Sequence, residues 1–251
     1  MTTWARQIYE HDPLAIAKGE VNGYSSEHKF GAVPAMSQNQ TGTIWDVNDT
    51  NYPWSSWSTA GTVDIPAVNA ADNGKKITLV GLDADYNAQS EEITLSSSGS
   101  VTSTNSYIRL YRAFISEGIS NVGVINVQKS SVTVLRINAG KGQTLMAIYT
   151  VPKNHTAFLT KGVMTVQASA DATGDMFVRY FQQETFRVGH SFEVSGAGGP
   201  YMYDFTIPLK IPEKTDIAYD YAVHWYEIAV VLGWTALFIF LSYRLLKKRD
   251  L

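Results

Sequence analysis

An all-β fold is predicted by three properties of this 251-residue sequence. Residues favoured in strands and turns are abundant, charged residues make up only 17% of the chain, and short segments alternate apolar with polar side chains. These segments recur at near-regular spacing between turns rich in Gly, Pro, Asn and Ser, a pattern typical of a β-sandwich or jelly roll. We therefore expect β-sandwich or jelly-roll-like units, preceded by an irregular N-terminal arm and followed by a hydrophobic C-terminal helix.

The predicted arm comprises residues 1–60, which are rich in Trp, Asn and Gly and show little periodicity. A short strand is expected at residues 42–47. Trp45, Trp54 and Trp57 are expected to anchor the arm, either in a core or at an interface with another subunit, because large aromatic rings bury much apolar area. These three residues are the interface candidates of the chain.

Two β units are predicted to follow the arm, at residues 61–128 and 129–217. Each contains short runs with the two-residue period of half-buried strands. The strands expected in the first unit are residues 62–65, 76–80, 92–95, 107–111 and 124–127. The strands expected in the second unit are residues 132–137, 143–151, 156–160, 163–167, 176–181, 186–192 and 204–209.

The second unit is expected to be an antiparallel β-sandwich over residues 130–217, in which the apolar faces of two sheets meet. Large apolar residues on the inward faces should form its core. The predicted core residues are Leu145, Ile148, Phe158, Val166, Phe177 and Phe205.

A loop between two strands of the first unit carries Asp83, Asp85 and Asn87 on alternate positions, the spacing at which oxygen side chains bind calcium. Ala88, however, stands where an EF-hand loop has glycine, and Thr94 stands where it has a bidentate glutamate. A plain hairpin loop is therefore the favoured interpretation, with calcium binding as the alternative.

The C-terminal segment, residues 218–251, contains sixteen consecutive uncharged residues at 228–243. Counted from residue 225, a helix here would be about 28 Å long, close to the thickness of a bilayer core. Aromatic residues at both ends and a basic flank are typical of a membrane helix, whereas the short length leaves a buried oligomerisation helix as the alternative. The residues assigned to this helix and its flank are Trp225, Ile228, Leu232, Trp234, Phe238, Tyr243, Arg244, Lys247, Lys248 and Arg249.

Composition and motifs predict a protein that is not an enzyme. The chain has no cysteine, which excludes thiolate catalysis and cysteine-ligated zinc. Its five histidines are scattered without metal-ligand spacing, and the familiar hydrolase and phosphate-loop motifs are missing. We therefore predict no catalytic residue, no metal site and no cofactor. A hydrolase remains the less favoured alternative, since the sequence does not decide whether any of its carboxylates converge in a cleft: Asp64, Asp83, Asp85, Glu91 and Glu92.

The distribution of charge argues against nucleic acid as a partner. The net charge is −3 for the whole chain, but the first 220 residues contain 16 basic and 21 acidic residues. Nonspecific binding to nucleic acid depends on many cations that neutralise phosphates. The basic excess is confined to the C-terminal segment.

Residues 10–217 resemble a group of small virion structural proteins from marine tailed bacteriophages. The resemblance implies an auxiliary component of a capsid or tail, present in multiple copies and packed against other virion proteins. The residues that carry it are Ala17-Lys18-Gly19 through Lys29-Phe30-Gly31, Ile44-Trp45-Asp46, Gly81-Leu82-Asp83-Ala84-Asp85-Tyr86-Asn87, Glu91-Glu92-Ile93-Thr94-Leu95, Thr104-Asn105-Ser106-Tyr107, and Gly142 through Pro152.

The segment after residue 217 is instead similar to the last transmembrane helix of some ABC-type permeases. The leading hypothesis is therefore a structural and assembly protein of the virion that forms homo-oligomers or binds other virion proteins. The alternative is a membrane-anchored β-sandwich surface protein that recognises a receptor or glycan, held to the membrane through residues 225–243.

Overall fold

The computed structural model describes residues 13–33, 40–117, 120–166, 171–195 and 200–224. The chain divides into two compact units, residues 1–30 and 31–251. In its described part the smaller unit contains one short helix, α1 (Pro13–Ala17), which begins with the residue best suited to a first helical position. Gly19 follows with a φ of 73°, a left-handed conformation common just after helix ends.

The larger unit is almost entirely β, which confirms the predicted all-β class. All pairings among its described strands are antiparallel. The strands are β1 (Thr41–Thr43), β2 (Asp64–Ile65), β3 (Lys76–Leu82), β4 (Ala88–Thr94), β5 (Val101–Thr102), β6 (Arg109–Ile115), β7 (Ile125–Lys129), β8 (Val132–Ile137), β9 (Ile148–Thr150), β10 (Ala157–Met164), β11 (Asp171–Arg179), β12 (Arg187–Ser195), β13 (Tyr201–Ile211) and β14 (Asp216–His224).

Two sheets share the larger hydrophobic core. One has the strand order β5-β2-β7-β8 and the other β4-β3-β6. The alternation along β3 shows why these residues form a half-buried strand: Ile77 and Leu79 are fully buried, whereas Thr78 and Val80 are only partly so. Both sheets contribute buried side chains to one continuous cluster, as in a β-sandwich.

A second group of strands encloses a smaller core. One sheet has the order β1-β14-β11-β12, with β9 also paired to β14, and β10 pairs with β13 in a two-stranded ribbon. We call β10 and β13 the ribbon. Its register shifts between Leu159 and Lys161, whose partners are Leu209 and Asp204, so β13 carries extra residues that bulge from the pairing. The buried members of this core are Val151, Met176, Val178, Phe192, Ile211 and Ile217.

The observed strands and units differ from the predicted organisation at four places. The boundary at residue 128 falls within the β7–β8 hairpin, and the arm predicted at 1–60 is divided, because its second half belongs to the larger unit. The sheet also continues past residue 217, since β14 runs to His224 and pairs with β11 over its whole length. The strands predicted at 156–160 and 163–167 form one continuous strand, β10.

The predicted core of the second unit was largely wrong. Among the six residues named, Ile148 is buried, whereas Phe158 is 51% exposed on the ribbon and the other four are partly exposed. The reason is the phase of the strands: on β11 it is Met176 and Val178 that face the small core, so Phe177 between them lies on the opposite face.

The hydrophobic helix predicted at residues 225–243, with its basic flank, lies outside the described residues. In the part of the chain that the structure describes, no helix is long and apolar enough to span a membrane.

Candidate functional site

A carboxylate shared by two arginines lies where the two cores meet. Asp216, only 2% exposed, accepts hydrogen bonds from Nε and Nη2 of Arg109 at 2.7 and 3.0 Å. It also accepts from Nη2 and Nε of Arg179 at 2.7 and 3.1 Å, and from Oγ1 of Thr150 at 2.7 Å. A buried carboxylate needs such partners, because burial without them would disfavour its charge strongly. Asp216 thus ties β6, β9 and β11 to β14.

Strand register brings these side chains together. Asp216 begins β14 and lies directly opposite both Arg179, the last residue of β11, and Thr150, the last residue of β9. Arg109 begins β6, and its backbone lies so close to Gly81 of β3 that a Cβ there would collide with the carbonyl oxygen of Arg109. The glycine therefore permits the approach that places the Arg109 guanidinium over Asp216.

Aromatic rings surround these arginines and one lysine. The arginine carbon Cζ of Arg109 lies 5.7 Å from the ring centroids of both Trp54 and Tyr86. Cζ of Arg179 lies 5.1 Å from the Trp54 centroid and 4.5 Å from that of Phe186. These distances lie within the range of cation–π attraction.

Lys214 is the lysine of this group, and it contacts two rings on the side of Tyr86. Its Nζ lies 5.6 Å from the Tyr86 centroid and 4.3 Å from that of Phe181. The rings of Tyr86 and Phe181 themselves meet edge to face at 5.6 Å. We call this set the cation–aromatic cluster; its members are Trp54, Tyr86, Arg109, Arg179, Phe181, Phe186 and Lys214, with Asp216 beneath them.

Three turns that carry members of the cluster each contain one residue in the left-handed backbone conformation. Tyr86, Gln182 and Lys214 have φ values of 67°, 64° and 58°. Large side chains rarely adopt this conformation, which costs on the order of 1–3 kcal/mol per residue. Backbone hydrogen bonds hold two of the three turns in contact with the segment after β9: the N–H of Lys153 donates to the carbonyl of Tyr86, and that of Lys214 to Val151.

The electrostatics keep the guanidinium of Arg109 charged. Burial acts to lower its pKa, but the hydrogen bonds and the charge of Asp216 outweigh burial and raise the pKa above its usual value. Beside it, Trp57 donates a hydrogen bond of 2.6 Å to the hydroxyl of Tyr52, whose pKa is raised chiefly by burial. Tyr52 is therefore neutral over the whole physiological range. With two guanidiniums and one ammonium against one carboxylate, the cluster carries excess positive charge.

The aspartate loop singled out as a calcium alternative forms a hairpin turn. Oδ1 of Asp83 accepts hydrogen bonds from the backbone N–H groups of Asp85 and Asn87, at 2.9 and 2.8 Å. Burial acts to raise the pKa of Asp83, but hydrogen bonds from Asn87 and Asp85 outweigh it and lower the pKa. The carboxylate thus braces the turn that carries Tyr86. Across the described residues no group of three His, Asp or Glu side chains is placed to hold a metal ion.

The three tryptophans named as interface candidates occupy different environments. Trp45 and Trp57 are each 2% exposed and pack in the large core of the chain itself. Trp54 is partly exposed and belongs to the cation–aromatic cluster. The residues assigned to the C-terminal helix, from Trp225 to Arg249, lie outside the described residues.

The charged members of the cluster were not predicted from the sequence. Arg109 and Asp216 are 107 positions apart, so no local motif links them. The sequence does contain an indication of a buried ion pair. Arg109 and Arg179 are each the single cation in a run of residues that is otherwise typical of a half-buried strand. A charge at such a position indicates an ion pair, because long charged side chains are seldom buried without a partner.

The chain was compared with protein-family models, with curated proteins and with solved structures, and no match was found in any of the three.

Proposed function

We propose that this chain is a non-enzymatic structural and assembly protein of a virus particle, an auxiliary component of its capsid or tail. The observation that carries the proposal is a set of exposed apolar side chains on the ribbon. Ile207 is 83% exposed, Met202 62%, Val163 58% and Phe158 51%. Val163 and Met202 are directly opposed partners, so their side chains form one patch. Apolar side chains grouped in this way are typical of surfaces that another protein covers.

The free strand edges of the ribbon are a second reason to propose that it is a contact surface. β10 and β13 pair with each other and with no further described strand, so each has one free edge. An exposed strand edge with apolar side chains readily accepts another chain. We propose that other virion proteins, including copies of this chain, cover the ribbon in the particle. The resemblance of residues 10–217 to phage virion proteins supports the same assignment.

The test is incorporation into particles. The double variant Val163→Asp, Met202→Asp places charges in the ribbon patch, and Val132→Asp, at a position 43% exposed on β8, is the matched control. We expect the double variant to fall to about a tenth of normal occupancy in purified particles, because a buried unpaired charge disrupts an interface. The control should enter normally. A chain that never co-purifies with particles, or equal occupancy of all three proteins, would contradict the proposal.

A membrane-anchored surface protein is the second candidate. It is favoured by the uncharged run at residues 228–243, with Trp225 and Tyr243 at its ends and a basic flank behind. Truncation after His224 preserves β14 and removes this segment. If the segment is an anchor, the full-length chain should stay in membranes washed with alkaline carbonate while the truncated chain is released. Equal release of both would exclude this candidate.

A further inference from the structure

Two cations of the cation–aromatic cluster have hydrogen-bond donors that find no acceptor among the described residues. Nζ of Lys214 donates to no described oxygen, and neither does Nη1 of Arg179, whose other nitrogens bind Asp216. Arg109 differs, because its Nη1 is taken up by the carbonyls of Trp57 and Ile108. Lys214 is partly exposed and the side chain of Arg179 is 19% exposed, so both residues reach the solvent.

These donors lie beside rings that also reach the surface. Phe181 is 44% exposed, and Tyr86, Trp54 and Phe186 are partly exposed. Asp216 fixes the guanidinium of Arg179 from below while Trp54 and Phe186 flank it. A guanidinium held in place and rings that reach the surface together form a site that needs little rearrangement to bind a ligand.

We propose that the cation–aromatic cluster is a binding site for a carboxylated sugar ring, such as a hexuronate unit of a short acidic oligosaccharide. A carboxylate accepts charge-assisted hydrogen bonds from an ammonium or guanidinium group. The apolar C–H face of a sugar ring packs on an aromatic ring such as that of Phe181. One carboxylate and one ring face thus match the two kinds of group that the cluster presents.

Nucleic acid, which also stacks on aromatic rings, fits the chain less well. Its affinity grows with the number of phosphates that a protein neutralises, and the cluster offers only two cations with free donors. The first 220 residues, with 16 basic and 21 acidic side chains, would repel a long polyanion. A short acidic sugar needs no more than the two cations. This inference does not depend on the proposed role in the virion.

The experiment is titration calorimetry of the full chain at low salt with trigalacturonate, with neutral maltotriose and with oligothymidylate. We expect binding of trigalacturonate alone. Lys214→Gln and Phe181→Ala should each weaken it about tenfold, the effect of losing one charge-assisted hydrogen bond or one stacked ring. Lys210→Gln, which removes an exposed lysine of the ribbon, should leave the affinity unchanged.

Three results would overturn the proposal. One is the absence of trigalacturonate binding by the unaltered chain, a result that requires no variant to fold. Another is binding that persists unchanged in Lys214→Gln and Phe181→Ala. The third is tighter binding of oligothymidylate than of the sugar, which would assign the cluster to a different class of ligand.

Discussion

Arg179 and Asp216 lie directly opposite each other on β11 and β14, with Nη2 of the arginine 2.7 Å from Oδ2 of the aspartate. Arg109 reaches the same carboxylate from β6, in the other half of the larger unit. The two hydrophobic cores are therefore joined by a charged group at a place where the ends of β6, β9, β11 and β14 converge. This junction also supports the rings of the cation–aromatic cluster.

Replacing Asp216 by Asn should lower the free energy of unfolding by about 3–5 kcal/mol, because two largely buried guanidiniums would lose their shared counter-charge. Urea denaturation followed by circular dichroism measures the change. Glu92→Gln is the matched control, since the Lys76–Glu92 pair is 42% and 48% exposed and its loss should change the free energy of unfolding far less than the loss of Asp216. Similar losses in both variants would show that Asp216 has no special role.

Asp46 should make stability depend on pH between about 4 and 6. Burial raises its pKa from 3.8 to about 6, although the N–H of Leu145 and the charge of Arg136 oppose the shift. In this window the folded chain holds a proton that the unfolded chain has released, so the free energy of unfolding falls as pH rises and changes no further above the window.

Asp46→Asn retains an acceptor for Leu145 and removes the titration. The variant should therefore gain on the order of 3 kcal/mol relative to the unaltered chain when the pH is raised from 4 to 7. Denaturation curves of both proteins at several pH values give the difference directly. If that difference is independent of pH, the pKa of Asp46 is not raised in the folded chain.

Residues that favour the left-handed backbone conformation should stabilise the β7–β8 turn. Ser130 and Ser131 have φ values of 50° and 66°, as both central residues of a two-residue hairpin turn require. Ser130→Asn with Ser131→Gly should raise the free energy of unfolding by about 1 kcal/mol. Ser90→Gly, in the regular strand β4, should instead lower it by about 0.5–1 kcal/mol. Thermal melts distinguish the two, and a loss in both would contradict the turn geometry.

The phase of the strands around the small core can be tested with two substitutions. Met176 is fully buried, so Met176→Ala should cost about 2–5 kcal/mol. Ile207 is 83% exposed on the bulge of β13, so Ile207→Ala should change the free energy of unfolding by less than about 0.5 kcal/mol. Chemical denaturation measures both. A larger cost at Ile207 than at Met176 would contradict this assignment of buried and exposed positions.

Sequence alone was sufficient for the features that depend on near neighbours. Alternation along residues such as Ile77 and Leu79 predicted a half-buried strand, and Asp83 to Asn87 predicted the hairpin turn that the structure contains. Strand periodicity and turn chemistry are local properties, so each can be read from a few consecutive residues.

The features that depend on distant residues were decided by the tertiary structure. Whether Met176 or Phe177 faces the core follows from the pairing of β11 with β14, because a strand with large side chains on both faces has no preferred side until it is packed. The ion pairs of Asp216 with Arg109 and Arg179 form only when strand ends from three parts of the chain meet. The sequence by itself therefore determined the all-β class and many of the strands, while pairing between remote strands determined the cores and the candidate site.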